Sequence, residues 1–128
     1  MSPGIPRPLK ILIIDDDKVF SRALEARLAK TGFRIETAFD GPSGLQLLSE
    51  KKFDVVILDL VMIGMPGFEV LPEIRKNDPN IPVIILSLLH QEEDVERVMK
   101  LGANKFFAKS APSFLEELVK YLEEVSVS

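Results

Sequence analysis

The sequence predicts one α/β domain in which parallel strands alternate with helices. Three observations support this: apolar runs of strand length, helical patterns between them, and a length of 128 residues, which suits a single core. The strand candidates are Ile11 to Ile14, Arg34 to Ala38, Val55 to Leu58, Val83 to Leu86 and Lys105 to Ala108. Because most of these strands are almost wholly aliphatic, we expect helices to cover both faces of the sheet.

The segments between the strands show the spacing of amphipathic helices. Val19 to Lys30 repeats apolar residues every four positions from Phe20 to Leu28, and Phe68 to Lys76 repeats them every three. The other helix candidates start at Gly41-Pro42, run from Glu93 to Leu101, and run from Phe114 to Leu122. Five strand and helix units predict a flavodoxin-like, doubly wound sheet with strand order 2-1-3-4-5.

Polar side chains follow four of the predicted strands. In an open sheet of this type, ligands bind beyond the carboxyl ends of the strands where the strand order reverses, here between strands 1 and 3. Strand 1 is followed by Asp15-Asp16-Asp17 and strand 3 by Asp59, while strands 4 and 5 lead to Ser87 and Lys109. We therefore expect four strand ends to converge on one pocket.

The negative charges of the acidic residues in this pocket must be offset. At about 5 Å and an effective dielectric near 20, each close pair of carboxylates costs roughly 3 kcal/mol, and a hard divalent cation would relieve it. Taken singly, each Asp suits a turn or helix cap equally well, and Ser87 or Lys109 alone suits an ordinary surface position. Their joint placement favours a site. Asp17 is expected outside it, as the cap of the first helix.

Composition excludes several classes of function. Without cysteine, the chain forms no disulfide, thiolate metal site or thiol nucleophile. Its 16 basic and 20 acidic residues give a net charge of −4 without a basic stripe, so direct nucleic-acid binding is not expected. No apolar run predicts membrane insertion or a signal segment, which favours a cytoplasmic location. We expect a flexible leader at 1–8, the domain at 9–124 and a C-terminal tail at 125–128.

Four motifs together resemble those of a response regulator receiver domain in order and spacing. They are I-L-I-I-D-D-D at 11–17, D-V-V-I-L-D-L-V-M at 54–62, P-V-I-I-L-S at 82–87 and G-A-N-K-F-F-A-K at 102–109. The resemblance covers roughly Leu9 to Glu123. It implies a phosphoacceptor of a two-component phosphorelay, whose partner is a sensor histidine kinase or phosphotransfer protein. Such a domain catalyses only its own phosphorylation and dephosphorylation, and is not otherwise an enzyme.

The resemblance implies a metal site around the phosphoacceptor. Asp59 would accept the phosphoryl group from a phosphohistidine. Asp16, Asp59 and the backbone carbonyl of Val61 would bind Mg²⁺ or Mn²⁺, with Asp15 acting directly or through water. Lys109 would contact one phosphoryl oxygen.

The resemblance also implies a conformational switch. Ser87 would hydrogen-bond another phosphoryl oxygen and draw its loop inward, while Phe106 turns toward the core. Ordinary strand burial is the alternative explanation for Phe106. The surface formed by helix 4, strand 5 and helix 5 would then bind a downstream protein or output domain, and it is the candidate surface for homodimerisation.

The chain departs from the family pattern around the predicted site. Lys109 is followed by Ser110 instead of the usual proline, and we hypothesise a cis bond there despite a cost of about 2.5 to 4 kcal/mol. Ile63 stands where proline is common, which predicts a reshaped loop after Asp59. Leu88 replaces a small residue. It either adds bulk to the rim of the predicted pocket, which would slow acyl-phosphate hydrolysis and the entry of small phosphodonors, or it packs beneath helix 4.

Other functions on the same architecture stay open from sequence. A pseudo-receiver would bind partners without phosphorylation, and its signature would be a missing acid or lysine. All five matching polar positions are filled here, so the Ser110 and Leu88 departures are its only support. A phosphatase of the haloacid dehalogenase type needs a second acid where Val61 stands. A flavodoxin needs a phosphate loop after strand 1, where Asp15-Asp16-Asp17 would repel the phosphate.

Overall fold

The computed structural model describes residues 8–127, which form a parallel sheet flanked by helices. The strands are β1 Lys10–Ile14, β2 Arg34–Ala38, β3 Val55–Leu58, β4 Val83–Ser87 and β5 Lys105–Ala108. The helices are α1 Lys18–Lys30, α2 Gly41–Glu50, α3 Gly67–Asn77, α4 Glu92–Lys100 and α5 Phe114–Val127. Every predicted strand and helix is present.

The strand order is β2-β1-β3-β4-β5 and all neighbours are parallel, which confirms the predicted flavodoxin-like fold. Ile14 pairs with Ala38 of β2 on one side and with Leu58 of β3 on the other. β1 and β3 therefore end at the same level. The acidic residues that follow them emerge side by side at the carboxyl edge of the sheet, the edge at which the parallel strands end.

The core consists of two apolar layers, one on each face of the sheet. Alternate strand residues point to opposite faces, so β1 supplies Leu12 to one layer and Ile11 to the other. The layer formed with α2, α3 and α4 contains Val70, Leu71, Ile74 and Val98, and the layer formed with α1 and α5 contains Leu24, Leu28, Leu118 and Leu122. Burial on both faces explains why the central strands are aliphatic throughout.

The first helix is capped as predicted, and the last helix runs further than predicted. As predicted, Asp17 caps α1, with its side chain accepting a hydrogen bond from the Phe20 amide at 3.0 Å. α5 continues to Val127, so residues 125–127 are helical and not the tail that we predicted. The apolar spacing of Leu118 and Leu122 extends to Val125, which packs on the same layer.

The leader predicted at 1–8 lies outside the described residues except for Pro8. Among the helices of residues 8–127, none is long and apolar enough to cross a membrane.

Candidate functional site

Three carboxylates converge at the carboxyl edge of the sheet. The Asp15 amide donates to the Ala38 carbonyl at 3.1 Å and the Asp59 amide to the Ile14 carbonyl at 3.0 Å, which extends the sheet pairing by one residue and fixes both backbones. Oxygens of Asp15, Asp16 and Asp59 lie within 4.8 Å of one another. Asp15 and Asp59 are buried, at 3% and 5% exposure, and Asp16 is half-buried. The predicted convergence of these acidic residues is therefore present.

Lys109 brings a cation to these carboxylates. Its amide donates to the Ser87 carbonyl at 2.8 Å, so the residue continues directly from β5. Its Nζ donates to Asp15 Oδ2 at 2.8 Å and to Asp59 Oδ2 at 3.3 Å, and the side chain is only 8% exposed. The cluster holds three carboxyl groups, and the one ammonium that contacts two of them leaves an excess of negative charge when all three are ionised.

Burial raises the pKa of the Asp15 carboxyl above its usual value. Hydrogen bonds from Lys109 and from the Asp17 amide lower this pKa, while the charge of Asp59 raises it further. Desolvation is the largest of these effects, and it disfavours the ionised form. A second cation in the cluster would stabilise the carboxylate form.

The loop between β3 and α3 holds the other carboxylate oxygens in place. Asp59 Oδ1 accepts hydrogen bonds from the amides of Leu60 at 2.7 Å and Val61 at 3.4 Å. The Ile63 amide donates to Asp16 Oδ2 at 2.8 Å. Proline has no N–H, so Ile63 makes a hydrogen bond that a proline at this position would abolish. The loop is therefore tied to an acid that follows β1.

Gly67 is a site residue that the sequence reasoning missed. Its amide donates to the Leu60 carbonyl at 3.0 Å, and a Cβ built on it would lie 2.1 Å from the Asp59 carbonyl oxygen. Only a residue without a side chain lets the start of α3 approach Asp59 this closely. The available signal was a glycine beginning a helix just after strand 3.

Ser87, at the end of β4, and Phe106, within β5, are not part of the acidic cluster. The Ser87 hydroxyl is buried and accepts a hydrogen bond from the Leu89 amide at 3.2 Å; within the described residues it makes none to the acids. Phe106 is half-buried against the layer of α2, α3 and α4. The Val61 side chain is 54% exposed at the rim.

The predicted cis bond near the site is wrong, and the structure decides between the two alternatives for Leu88. No peptide bond in residues 8–127 is cis, so Lys109–Ser110 is trans. The Ala111 amide closes a turn onto the Ala108 carbonyl at 3.0 Å, and a non-proline cis bond would add its usual cost to this turn. Leu88 is 66% exposed and does not pack beneath α4, so of the two alternatives only the exposed rim position is left.

Comparison with known sequences identifies the class of protein. A sequence model of the response regulator receiver domain matches residues 11–123, and the chain belongs to this family of two-component signal transduction. It is 37% identical over 99 residues to the transcriptional regulatory protein AfsQ1 of Streptomyces coelicolor, covering 77% of this chain and 44% of that protein. It is 38% identical over 112 residues to the probable transcriptional regulator ycf27 of Guillardia theta, covering 87% and 44%. The chain thus spans less than half of these relatives.

Solved structures agree with this assignment. The receiver domain of Francisella response regulator 1452 superposes with a TM-score of 0.85 at 30% identity, covering 94% of this chain and 97% of that one. The response regulator TrrA of Thermotoga maritima, determined in complex with Mg²⁺-BeF, gives a TM-score of 0.81 at 28% identity and covers 91% and 98%. Both likenesses extend over nearly the whole domain.

Proposed function

We propose that this domain accepts a phosphoryl group on Asp59. The observation that carries the proposal is a buried Asp59 carboxylate whose Oδ2 lies 3.3 Å from the Lys109 ammonium, beside two further carboxylates. An Asp59 oxygen would attack the phosphorus of a phosphohistidine, forming an O–P bond. The P–N bond would break, and the imidazole would leave with the electron pair. The donor would be a sensor histidine kinase or phosphotransfer protein.

The residues present suit a hard divalent cation, Mg²⁺ or Mn²⁺. All candidate ligands are oxygens: the carboxylates of Asp15, Asp16 and Asp59, which lie within 4.8 Å of one another, and the backbone carbonyl of Val61. When bound, Mg²⁺ would offset the negative charge of the carboxylates and of the phosphoryl oxygens. The amides of Leu60 and Val61 would keep Asp59 oriented, and Lys109 would place its ammonium on a phosphoryl oxygen.

The output of phosphorylation would be a change of surface. Ser87 would exchange its hydrogen bond from the Leu89 amide for one to the phosphoryl group, which moves the loop before α4. Phe106, half-buried on β5, would turn inward, and the face of α4, β5 and α5 would present a new surface to a downstream protein, an output domain or a second copy of the chain. We place this switch in the cytoplasm, without direct contact to nucleic acid.

The proposal is tested by the intact mass of the protein after incubation with Mg²⁺ and acetyl phosphate. Wild type should gain one phosphoryl group and Asp59→Asn none. Because exposed Leu88 and Val61 add bulk to the rim, a small donor reacts slowly, so binding of beryllium fluoride with Mg²⁺ is measured as well. If wild type neither gains phosphate nor binds beryllium fluoride, the domain is a pseudo-receiver that acts through protein contacts alone.

The rim also bears on the lifetime of the phosphorylated state. Val61 and Leu88 offer no acid or amide to orient a water molecule for attack on the acyl phosphate. We therefore expect slow hydrolysis, measured by the loss of the phosphorylated mass after the donor is removed. Rapid self-dephosphorylation of the purified protein would contradict this expectation.

A further inference from the structure

The ring of Phe20 lies against the ammonium of Lys109. Lys109 Nζ is 4.2 Å from the centroid of the Phe20 ring, well within the range of a cation–π interaction. The same nitrogen donates to Asp15 and Asp59. With its side chain 8% exposed, Lys109 is enclosed by two carboxylates and one aromatic ring.

The Phe20 ring is itself held in place by contacts at two helix starts. Its backbone amide donates to the capping side chain of Asp17 at 3.0 Å, which fixes the first turn of α1. Its ring packs against Phe114, the first residue of α5, with centroids 6.0 Å apart and planes tilted by 34°. The Phe114 amide donates to the Ala111 carbonyl at 3.1 Å, within the turn that follows Lys109. The ring thus has a defined position beside the ammonium.

We propose that Phe20 is a positioning residue for phosphoryl transfer, holding the Lys109 ammonium by cation–π attraction where it meets Asp59 and the phosphoryl oxygens. This inference rests on the proposed function of Asp59 and Lys109. A lysine side chain is a flexible four-carbon stem with a point charge, so its carboxylate partners alone leave it several arrangements. The negative face of the ring restricts them. An aliphatic side chain would fill the space but would not attract the cation.

The test compares phosphorylation rates of Phe20 variants with a matched core variant. With acetyl phosphate, an O–P bond forms to Asp59, the bond from phosphorus to the acetyl oxygen breaks, and acetate leaves. Phe20→Leu should react about 3- to 10-fold more slowly, as expected for loss of one partly buried cation–π contact. Phe20→Tyr keeps the ring and should restore most of the rate.

Phe33→Leu is the control. Phe33 packs on the same apolar layer, just beyond the opposite end of α1, and its replacement by leucine removes the same volume. It should react at the wild-type rate. The Mg²⁺ affinity of Phe20→Leu, measured by calorimetry, should stay within about twofold of wild type, while its affinity for beryllium fluoride falls about as much as the rate. This split separates a defect at Lys109 from a general loss of structure, which would weaken Mg²⁺ binding as well.

The inference is overturned if Phe20→Leu matches Phe33→Leu in rate, or if Phe20→Tyr is as slow as Phe20→Leu. Should Phe20→Leu fail to fold, Phe20→Met, closer to Phe in length and also without a ring, takes its place with the same expected rate. A wild-type protein that neither gains phosphate nor binds beryllium fluoride instead overturns the proposed function of Asp59, a result distinct from equal rates among phosphorylated variants.

Discussion

Charged side chains are arranged differently at the two edges of this sheet. Near the amino edge, where the strands begin, Lys10 of β1 and Lys51 form ion pairs with Glu36 of β2 at 3.3 Å and 2.9 Å, and all three side chains are partly exposed. At the carboxyl edge, buried Asp15 and Asp59 share a single ammonium. Opposite charges therefore alternate at the amino edge, while like charges accumulate at the carboxyl edge. The first arrangement is complete within the chain, and the second leaves an excess of negative charge that a bound cation would offset.

The largest expected effect concerns how the carboxyl edge is held together. Because a Cβ at Gly67 would lie 2.1 Å from the Asp59 carbonyl oxygen, Gly67→Ala should lower the free energy of unfolding by about 3 kcal/mol, measured by urea denaturation. Gly64→Ala is the control. Gly64 has φ +85° but no atom within 4 Å of a built Cβ, so alanine there should cost about 1 kcal/mol. Equal losses in the two variants would show that close approach at Gly67 does not matter.

The next effect tests the accumulated charge. Asp15→Asn should raise the free energy of unfolding by about 2 kcal/mol in metal-free buffer at neutral pH, because burial and the charge of Asp59 disfavour the Asp15 carboxylate. Lys109 keeps Asp59 and the amide oxygen as partners. Asp17→Asn should have no effect, since asparagine also caps helices well.

The pH dependence of the same variant has a definite sign. The pKa of Asp15 is raised on folding, so the stability that its protonated form contributes is present below 3.8 and is lost as pH rises through the folded pKa. The advantage of Asp15→Asn should therefore be greatest at neutral pH and shrink on acidification. A variant less stable than wild type at neutral pH would show that the ion pair with Lys109 outweighs the repulsion.

The contrast between the edges was only partly predictable from sequence. The strands and the acids that follow them could be predicted, because aliphatic runs and the residues after them are local sequence patterns. A parallel topology then places the strand ends at one edge of the sheet. The close approach of Gly67 to Asp59 and the contact of Phe20 with Lys109 could not be predicted. The former depends on the distance between two backbone segments in the folded chain, and the latter joins α1 to the end of β5, a pair whose contact no sequence spacing encodes.

A third effect is stabilisation by the metal. At a Mg²⁺ concentration ten times its dissociation constant, the free energy of unfolding of wild type should rise by about 1.4 kcal/mol, and chelation should reverse the rise. Asp16→Asn should lose most of this response, because it removes one of the three converging carboxylates. Glu36→Gln, at the amino edge, should respond as wild type does. A full response in Asp16→Asn would place the metal elsewhere.

The smallest effect lies at the amino edge and has the opposite sign to that of Asp15→Asn. The Lys51 hydrogen bond, aided by Lys10, holds the pKa of Glu36 below its usual 4.5. The ionised Glu36 therefore stabilises the folded protein above pH 4.5, and this contribution is lost as pH falls through the folded pKa. Glu36→Gln should cost about 0.5 kcal/mol at neutral pH, since partly exposed ion pairs contribute little. The cost should vanish in acid and at high salt, measured by urea denaturation. If it persists there, the glutamate acts through packing and the contrast in charge between the edges is weaker than the geometry indicates.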